Sequence, residues 1–247
     1  MIDGEITGTI GRIVLDRPEA HNALDQAAMR ALRALLEDWA GRDLRAVIVT
    51  GRGRSFCAGA SLGDVAGRDW AENPLTAACD ALEAFPCPTI AALNGGVYGG
   101  GVEIALACDF RVGVTGMRAF APPARLGIHY EPAGIRRAIE RLGAQAARRI
   151  FLLAESFEAE ALLAMGFLDH LVAPEELAAK AEGLAGTAAG LAPLAVRGMK
   201  RTILELSRGA LDAEAAAARV RDCFASADHA EGLAAQKEKR APRFEGR

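Results

Sequence analysis

Two glycine-rich turns are the parts of the sequence best suited to chemistry. They read GRGRSFCAGASLGDV, starting at Gly51, and NGGVYGGGVEIA, starting at Asn94. Each turn follows an apolar run, and neither contains the GK[ST] signature of a nucleotide phosphate loop. Free main-chain N–H groups at the start of a helix bind anions, and glycine lets a ligand approach the backbone closely. The two turns therefore predict a site where main-chain amides hold a negatively charged oxygen.

Glu103 lies in the apolar stretch that follows the second turn. Burying an ionised carboxylate without a partner is costly, so its position calls for a functional reason. We expect the side chain to face the same cavity as the amides, where it can exchange a proton with a ligand. A simpler alternative is that Glu103 only interacts with the free N–H groups and the dipole of the helix start.

The composition excludes some classes of function. The chain has 247 residues, of which 51% are hydrophobic, and a net charge of −3. It lacks the basic excess of proteins that bind nucleic acid or membrane surfaces, so neither partner is expected. The N-terminus lacks the features of a secretory signal, and no apolar run is long enough for a membrane span. An odd number of cysteines without a CxxC motif indicates reduced thiols and a cytoplasmic location. The cysteines are Cys57, Cys79, Cys87, Cys108 and Cys223.

The elements that must position the two turns alternate between strands and helices. The segment from Thr7 to Pro18 predicts a short strand or hairpin. The apolar spacing after it predicts an amphipathic helix, with Asn22 as its N-cap and Gly41 at its end. The apolar runs RAVIVT, PTIAAL and FRVGV predict strands that are buried on both faces. From about residue 133 onward the pattern predicts helices almost throughout, and FEAEALLAMGFLDHLV is one of these segments.

At these residues the chain resembles the crotonase superfamily, also called the enoyl-CoA hydratase/isomerase family. LDRPEAHNALD is similar to the family's opening strand, loop and helix, and GRSFCAGASL is similar to its FxAGADL turn. PTIAALNGGVYGGGVEIALACDFRV resembles its PxIAAVxGxxxGGGxELALACD segment, and AEGLAAQKEKRAPRFEGR resembles its closing helix and tail. These motifs occur in the family's order over nearly the whole chain.

The resemblance implies a coenzyme A (CoA) thioester substrate and an oxyanion hole. The donors would be the main-chain N–H groups of Ala58 and Gly100, which bind an enolate oxygen more strongly than a neutral carbonyl oxygen. Glu103 matches the first of two glutamates that the family's hydratases use to hold a water and deliver a proton. Lys239 matches a lysine that reaches the CoA phosphates, commonly from a neighbouring subunit. The other residues implied to bind the substrate are Ala20, His21, Ala23, Ala60, Ser61 and Leu62.

The second glutamate of the family is missing from this chain. It should lie in a segment like PExxLG, but the sequence reads FAPPARLGIHYEPAG, with Pro123 and Ala124 at that place. Neither side chain can exchange a proton. Tyr130 is our first candidate for a substitute, and His129 and Glu131 are the others, although we expect Glu131 to be exposed. A purely structural role is the alternative for each of them.

Three functions remain open from the sequence. The first is an enzyme of the hydratase or isomerase type. The second is an acyl-CoA decarboxylase, because LGIHYEPAGI is similar to the LGxPYxxxGI stretch of methylmalonyl-CoA decarboxylases. Loss of CO2 needs the oxyanion hole but no base, although those enzymes carry a histidine where this chain has Ala60. The third is a protein that binds acyl-CoA without turnover. We rank the three in this order.

The expected fold is α/β, a crotonase-type spiral of ββα units with a helical C-terminal oligomerisation lobe. We place the spiral core with the acyl-CoA site at residues 1–190 and a helical trimerisation region at residues 191–247. The resemblance implies a homotrimer or a dimer of trimers. It also implies no metal and no separate cofactor, because the substrate carries the CoA.

Overall fold

The chain folds into two β-sheets surrounded by helices, and the computed structural model describes residues 1–61, 63 and 73–247. The strands in chain order are β1 (Ile2–Thr7), β2 (Ile10–Leu15), β3 (Ala46–Gly51), β4 (Ser55–Cys57), β5 (Thr89–Leu93), β6 (Gly96–Tyr98), β7 (Phe110–Val114), β8 (Arg118–Phe120), β9 (Phe157–Glu158) and β10 (His170–Val172). The α-helices are α1 (Gln26–Ala40), α2 (Pro74–Glu83), α3 (Gly100–Ala107), α4 (Pro132–Leu142), α5 (Ala144–Leu152), α6 (Ala159–Ala164), α7 (Leu177–Ala189), α8 (Pro193–Ser207), α9 (Ala213–Ala225) and α10 (Ala227–Glu238).

From β3 to β8, successive strands alternate between the two sheets. The larger sheet has the order β1-β2-β3-β5-β7-β10, and the smaller has the order β4-β6-β8-β9. The β1–β2 hairpin and the β8–β9 pair are antiparallel, whereas the other neighbours are parallel. Strands β3, β5 and β7 are each followed by a strand of the smaller sheet before the chain reaches its next helix. This arrangement confirms the predicted spiral of ββα units and the hairpin at its start.

The apolar strands β3, β5 and β7 lie in the interior, as predicted. Ile48 and Ile90 are fully buried, as are most of their neighbours along the strands. Helix α7 packs against β3, β5 and β7, and the smaller sheet approaches β3 and β5 through β4. Because both faces of these strands are covered, they read as continuous apolar runs rather than as alternating ones.

The start of the first helix differs from the prediction. Asp25, and not Asn22, is the N-cap of α1, and its Oδ1 accepts the N–H of Ala28 at 2.8 Å. Asn22 is fully buried in a left-handed conformation, where its side-chain amide donates to the carbonyl oxygens of Arg52 and Ser55. Asn22 therefore holds the loop to the first glycine turn, and the helix begins only after that contact. The end of α1 at Gly41 is confirmed.

The segment FEAEALLAMGFLDHLV was predicted to be helical, but it is only partly so. It contains β9, the short helix α6 and β10. Strand β9 pairs with β8 and β10 pairs with β7, so both strands extend sheets formed by distant parts of the chain. Strands of two and three residues are too short to show a periodicity of their own, and tertiary pairing decides their conformation.

Helices α8, α9 and α10 form the C-terminal lobe. Ion pairs join the lobe to the core, since Lys200 on α8 pairs with Asp109 and Arg208 pairs with Glu83. Several large apolar side chains of the lobe are more than half exposed: Met199, Ile203, Leu206, Val220, Phe224 and Leu233. The boundary at residue 190 and the role of the lobe in trimerisation stay predictions. No helix in the described part of the chain is long and apolar enough to cross a membrane.

Candidate active site

The turn after β4 presents one main-chain N–H group to a cavity, and it is not the predicted one. The N–H of Ala58 donates to the carbonyl oxygen of His21 at 2.9 Å, so the expectation that Ala58 supplies an oxyanion donor is wrong. The N–H of Ser61 donates to Leu24, in a parallel bridge between Leu24 and Ala60. The N–H of Ala60 points away from that bridge and has no hydrogen-bond partner among the described residues.

Gly100 is the first residue of α3, and it supplies the second N–H group. Amides at the first positions of a helix have no partner within the helix, and that of Gly100 has none elsewhere in the described residues. A Cβ atom placed on Gly100 would lie 3.5 Å from the amide nitrogen of Ala60, so the two turns meet here. Gly59 has a φ of +84°, and a Cβ on it would lie 2.4 Å from the nitrogen of Gly100. Only glycine at position 59 permits this approach.

A cavity of about 490 Å³ opens beside these two amides, within the range typical of small-molecule sites. Ala23, Ala58 and Ser61 line it near the first turn, together with Ala60. Leu75 of α2 also lines the cavity, together with a wall that begins at the last residue of β8. That wall consists of Phe120, Pro122, Pro123, Leu126, Ile128, His129, Tyr130 and Glu131. The lining is therefore mostly apolar, with a few polar side chains that include Glu103, Tyr130 and Glu131.

Glu103 lies one turn into α3 and lines the same cavity, although only 2% of the residue is exposed. Arg137 of α4 donates to its Oε1 at 2.7 Å. Burial raises the pKa of the Glu103 carboxyl group, while the charge of Arg137 and the contact with the Tyr130 hydroxyl oppose that rise. The structure thus places Glu103 where the sequence predicts it, but in an ion pair that the sequence analysis did not foresee.

Tyr130 is held against Glu103 by its surroundings. Its ring packs on Phe151 with 4.8 Å between the ring centroids. A Cβ on Gly134 would lie 2.4 Å from Cε1 of Tyr130 and 2.9 Å from Oε2 of Glu103, so the missing side chain makes room for both groups. Burial, followed by the negative charge of Glu103, raises the pKa of the Tyr130 hydroxyl.

The place of the missing glutamate is occupied by a 3-10 helix from Pro123 to Leu126. Glu131 follows this segment and lines the cavity half-buried, which corrects the expectation that it is exposed. Its Oε1 accepts a hydrogen bond from Nδ2 of Asn73 at 3.1 Å. His129 also lines the cavity, but it is exposed and its Nδ1 lies 2.7 Å from the carbonyl oxygen of Tyr130.

The other predicted substrate-binding residues are only partly brought together. Ala23, Ala60 and Ser61 line the cavity, whereas Ala20 and His21 lie in the adjoining loop and are not among its lining residues. Nδ1 of His21 lies 2.9 Å from Oγ of Ser55. Leu62 lies outside the described residues. Lys239 is exposed at the end of α10 and does not line this chain's cavity.

A buried ion-pair cluster around Arg137 was missed by sequence reasoning. The Arg137 side chain is fully buried and contacts Asp80, Glu83 and Glu103, which come from α2 and α3. The sequence signal that could have revealed the cluster is the pair of arginines in GIRRAIERL. One of them, Arg137, lies on the buried face of α4 with Gly134 and Ala138.

Comparisons with known proteins show which family the chain matches. The Enoyl-CoA hydratase/isomerase family model matches residues 5–247. A protein of Mycobacterium tuberculosis described as "Probable enoyl-CoA hydratase echA6" is 33% identical over 237 residues, which cover 95% of both chains. The "2,3-dehydroadipyl-CoA hydratase" of Escherichia coli is 33% identical over 243 residues, covering 95% of this chain and 94% of the relative.

A solved structure agrees with the sequence relatives. The putative enoyl-CoA hydratase/isomerase family protein from Hyphomonas neptunium superposes with a TM-score of 0.93 and 30% identity, covering 100% of this chain and 98% of the other. The match in sequence and in fold extends over nearly the entire length. The chain therefore belongs to the enoyl-CoA hydratase/isomerase family of the crotonase superfamily.

Proposed function

We propose that this protein processes acyl-CoA thioesters through an enolate whose oxygen is held by the N–H groups of Ala60 and Gly100. The observation that carries the proposal is a pair of amides without hydrogen-bond partners among the described residues, in a cavity that Glu103 also lines. Proton transfer at the α-carbon of a thioester moves negative charge onto the carbonyl oxygen. Two fixed donors bind that charge more strongly than the neutral carbonyl, and each is worth about 3–4 kcal/mol.

The small residues at the turns would let the thioester reach these donors. Ala60 carries only a methyl group, and Gly100 carries no side chain. The CoA portion would then leave the cavity along Ala23 and Ser61, close to the loop that contains Ala20 and His21. The proposal requires no metal and no separate cofactor, because the thioester itself makes the α-proton acidic.

Glu103 would exchange the proton. In hydration, the hydroxyl group of water adds to the β-carbon and a proton adds to the α-carbon. In isomerisation, one proton leaves the α-carbon and one returns to the γ-carbon, without net change in composition. Both reactions need a carboxyl group beside the reacting carbons, which accepts a proton as the carboxylate and returns one as the acid, and such acid–base help is typically worth about 10²–10⁴-fold in rate.

Glu131 is the best-placed substitute for the missing glutamate. It lines the cavity together with Glu103, and its negative charge is one of the influences that raise the pKa of Glu103. The hydrogen bond from Asn73 would fix one oxygen of Glu131. Tyr130 then acts through Glu103, as a group that orients that carboxyl, rather than as the second acid.

We further propose a cytoplasmic homotrimer or dimer of trimers. All five cysteines are free thiols and four of them are buried, which suits a reducing compartment. The apolar side chains exposed on α8, α9 and α10 would be covered in the assembly. Lys239 does not line the cavity of its own chain, so we place its contact with the CoA phosphates in a neighbouring subunit.

A panel of three thioesters tests the proposed function. The purified protein is offered crotonyl-CoA, a β,γ-enoyl-CoA and methylmalonyl-CoA, and hydration, double-bond shift and CO2 release are followed separately. We expect turnover of one or both enoyl-CoA substrates, with Glu103→Gln reducing kcat by about 10²-fold or more. Turnover of methylmalonyl-CoA alone would identify a decarboxylase. Binding of all three without turnover would identify an acyl-CoA-binding protein.

A further inference from the structure

We propose that Arg137 is a positioning residue that keeps Glu103 oriented and ionised, and that Arg208 of the C-terminal lobe supports it through Glu83. The catalytic consequence of this inference rests on the proposed function. The ion pairs are observed in the structure whatever the function is. Neither arginine lines the cavity, so both would act through other side chains.

Each of the three guanidinium nitrogens of Arg137 contacts a different carboxylate. Nη1 donates to Oε1 of Glu103 at 2.7 Å, Nε donates to Oε2 of Glu83 at 3.2 Å, and Nη2 contacts Oδ1 of Asp80. The planar guanidinium group thus spans α2 and α3 from its place on α4. Such a fixed fork restricts where the Glu103 carboxylate can lie, in a way that a flexible lysine would not.

Glu83 contacts three arginines, so its negative charge is compensated by more than Arg137 alone. The Glu83 side chain is 1% exposed and also accepts from Arg136 and Arg208. The three cations together lower the pKa of Glu83 although burial opposes them. Arg136 and Arg208 offset the negative charge of Glu83, which would otherwise oppose ionisation of Glu103 on the other side of Arg137. Removing Arg208 would leave Glu83 less compensated and so disfavour the ionised form of Glu103.

The groups that face Glu103 come from three elements. Cys79 and Asp80 face it from α2, Arg137 faces it from α4, and Tyr130 and Glu131 face it from the preceding segment. Arg137 is the only cation in this set of described residues. Asp80 and Glu131 disfavour the ionised form of Glu103, as does burial. Arg137 and the Tyr130 hydroxyl favour the ionised form of Glu103, and of the two only Arg137 does so with a charge. The ionised form matters because a protonated carboxyl cannot accept a proton from substrate.

The direct test is the titration of the Glu103 carboxyl group in the full-length protein without substrate. Protein labelled with ¹³C at the glutamate side chains is titrated by NMR, and Glu103→Gln identifies the resonance. We expect Arg137→Gln to move the Glu103 midpoint to higher pH and Arg137→Lys to restore part of the change. Arg208→Gln should give a smaller move in the same direction. Arg141→Gln, on the same helix but outside the cluster, should give none.

The loss of kcat/KM should rank the variants in the same order as the change in the Glu103 midpoint. Below the midpoint, kcat/KM at a fixed pH falls about tenfold for each pH unit by which the midpoint rises. If Arg137→Gln does not fold, Arg137→Lys and Arg208→Gln still carry the test, since the Arg208 side chain is partly exposed. An unchanged Glu103 midpoint in the folded variants would overturn the inference. If the Glu103 midpoint changes as expected in these variants but the protein turns over no thioester, the proposed function would be refuted and the inference about Arg137 would stand.

Discussion

At the scale of single residues, the proposed choice of oxyanion donor depends on the partner of each amide. Ala58 and Ala60 have the same side chain and lie two residues apart, but the N–H of Ala58 is already bonded to His21. The sequence motif alone could not distinguish them, because the difference arises from pairing with a loop more than thirty residues away. Gly100 and Glu103 could be predicted, since glycine spacing and a carboxylate near a helix start are local signals.

Substituting Gly100 by proline and by alanine compares the site without and with its N–H group. Proline lacks the N–H, is tolerated at the first position of a helix, and loses no hydrogen bond here. Both variants add a Cβ, which would meet the flexible end of Leu75. We expect kcat of Gly100→Pro to be about 10²–10³-fold below that of Gly100→Ala. Equal rates for the two variants would show that this amide does not stabilise the transition state.

The pH dependence of the reaction should report Glu103. Burial raises its pKa above the ordinary value of 4.5, so the base form is lost as pH falls through that raised value. The contact with Tyr130 lowers the same pKa. Tyr130→Phe keeps the ring but removes the hydroxyl, so the acidic limb of kcat/KM should move to higher pH. A move to lower pH, or an unchanged limb, would contradict this role for Tyr130.

At the scale of elements, long-range contacts decide what the sequence could not reveal. The buried strands and helix α1 follow from apolar periodicity, and the ββα order follows from their alternation. In contrast, Asn22 looks like a helix cap in the sequence, but its side chain bonds to carbonyl groups about thirty residues away. The Arg137 cluster is hidden for the same reason, because its carboxylates come from two other helices.

The different roles of Asn22 and Asp25 can be measured by unfolding. Asp25→Ala removes a helix cap and should lower the free energy of unfolding by about 1 kcal/mol. Asn22→Ala removes the side-chain donor to the carbonyl oxygens of Arg52, Ser55 and Phe56 and should cost about 2 kcal/mol or more. Urea unfolding at one fixed protein concentration compares the two variants. A larger loss for Asp25→Ala would argue against the loop-holding role of Asn22.

At the scale of the whole molecule, the lobe exposes apolar surface that a free monomer would leave in water. Ile203 is 62% exposed and Phe224 is 68% exposed, on α8 and α9. We expect light scattering after size exclusion to give three or six chain masses. Combining Ile203→Glu with Phe224→Glu should reduce that mass, whereas Leu152→Glu, at an exposed site outside the lobe, should not. A monomeric wild-type protein would refute the predicted assembly.

The account as a whole depends on two amides that meet at one thioester oxygen. A crystal structure of the Glu103→Gln variant with crotonyl-CoA bound measures this directly. We predict that the thioester oxygen lies about 2.7–3.1 Å from the amide nitrogens of both Ala60 and Gly100, while the N–H of Ala58 stays bonded to His21. A thioester oxygen beyond hydrogen-bonding distance of either Ala60 or Gly100 would contradict the account.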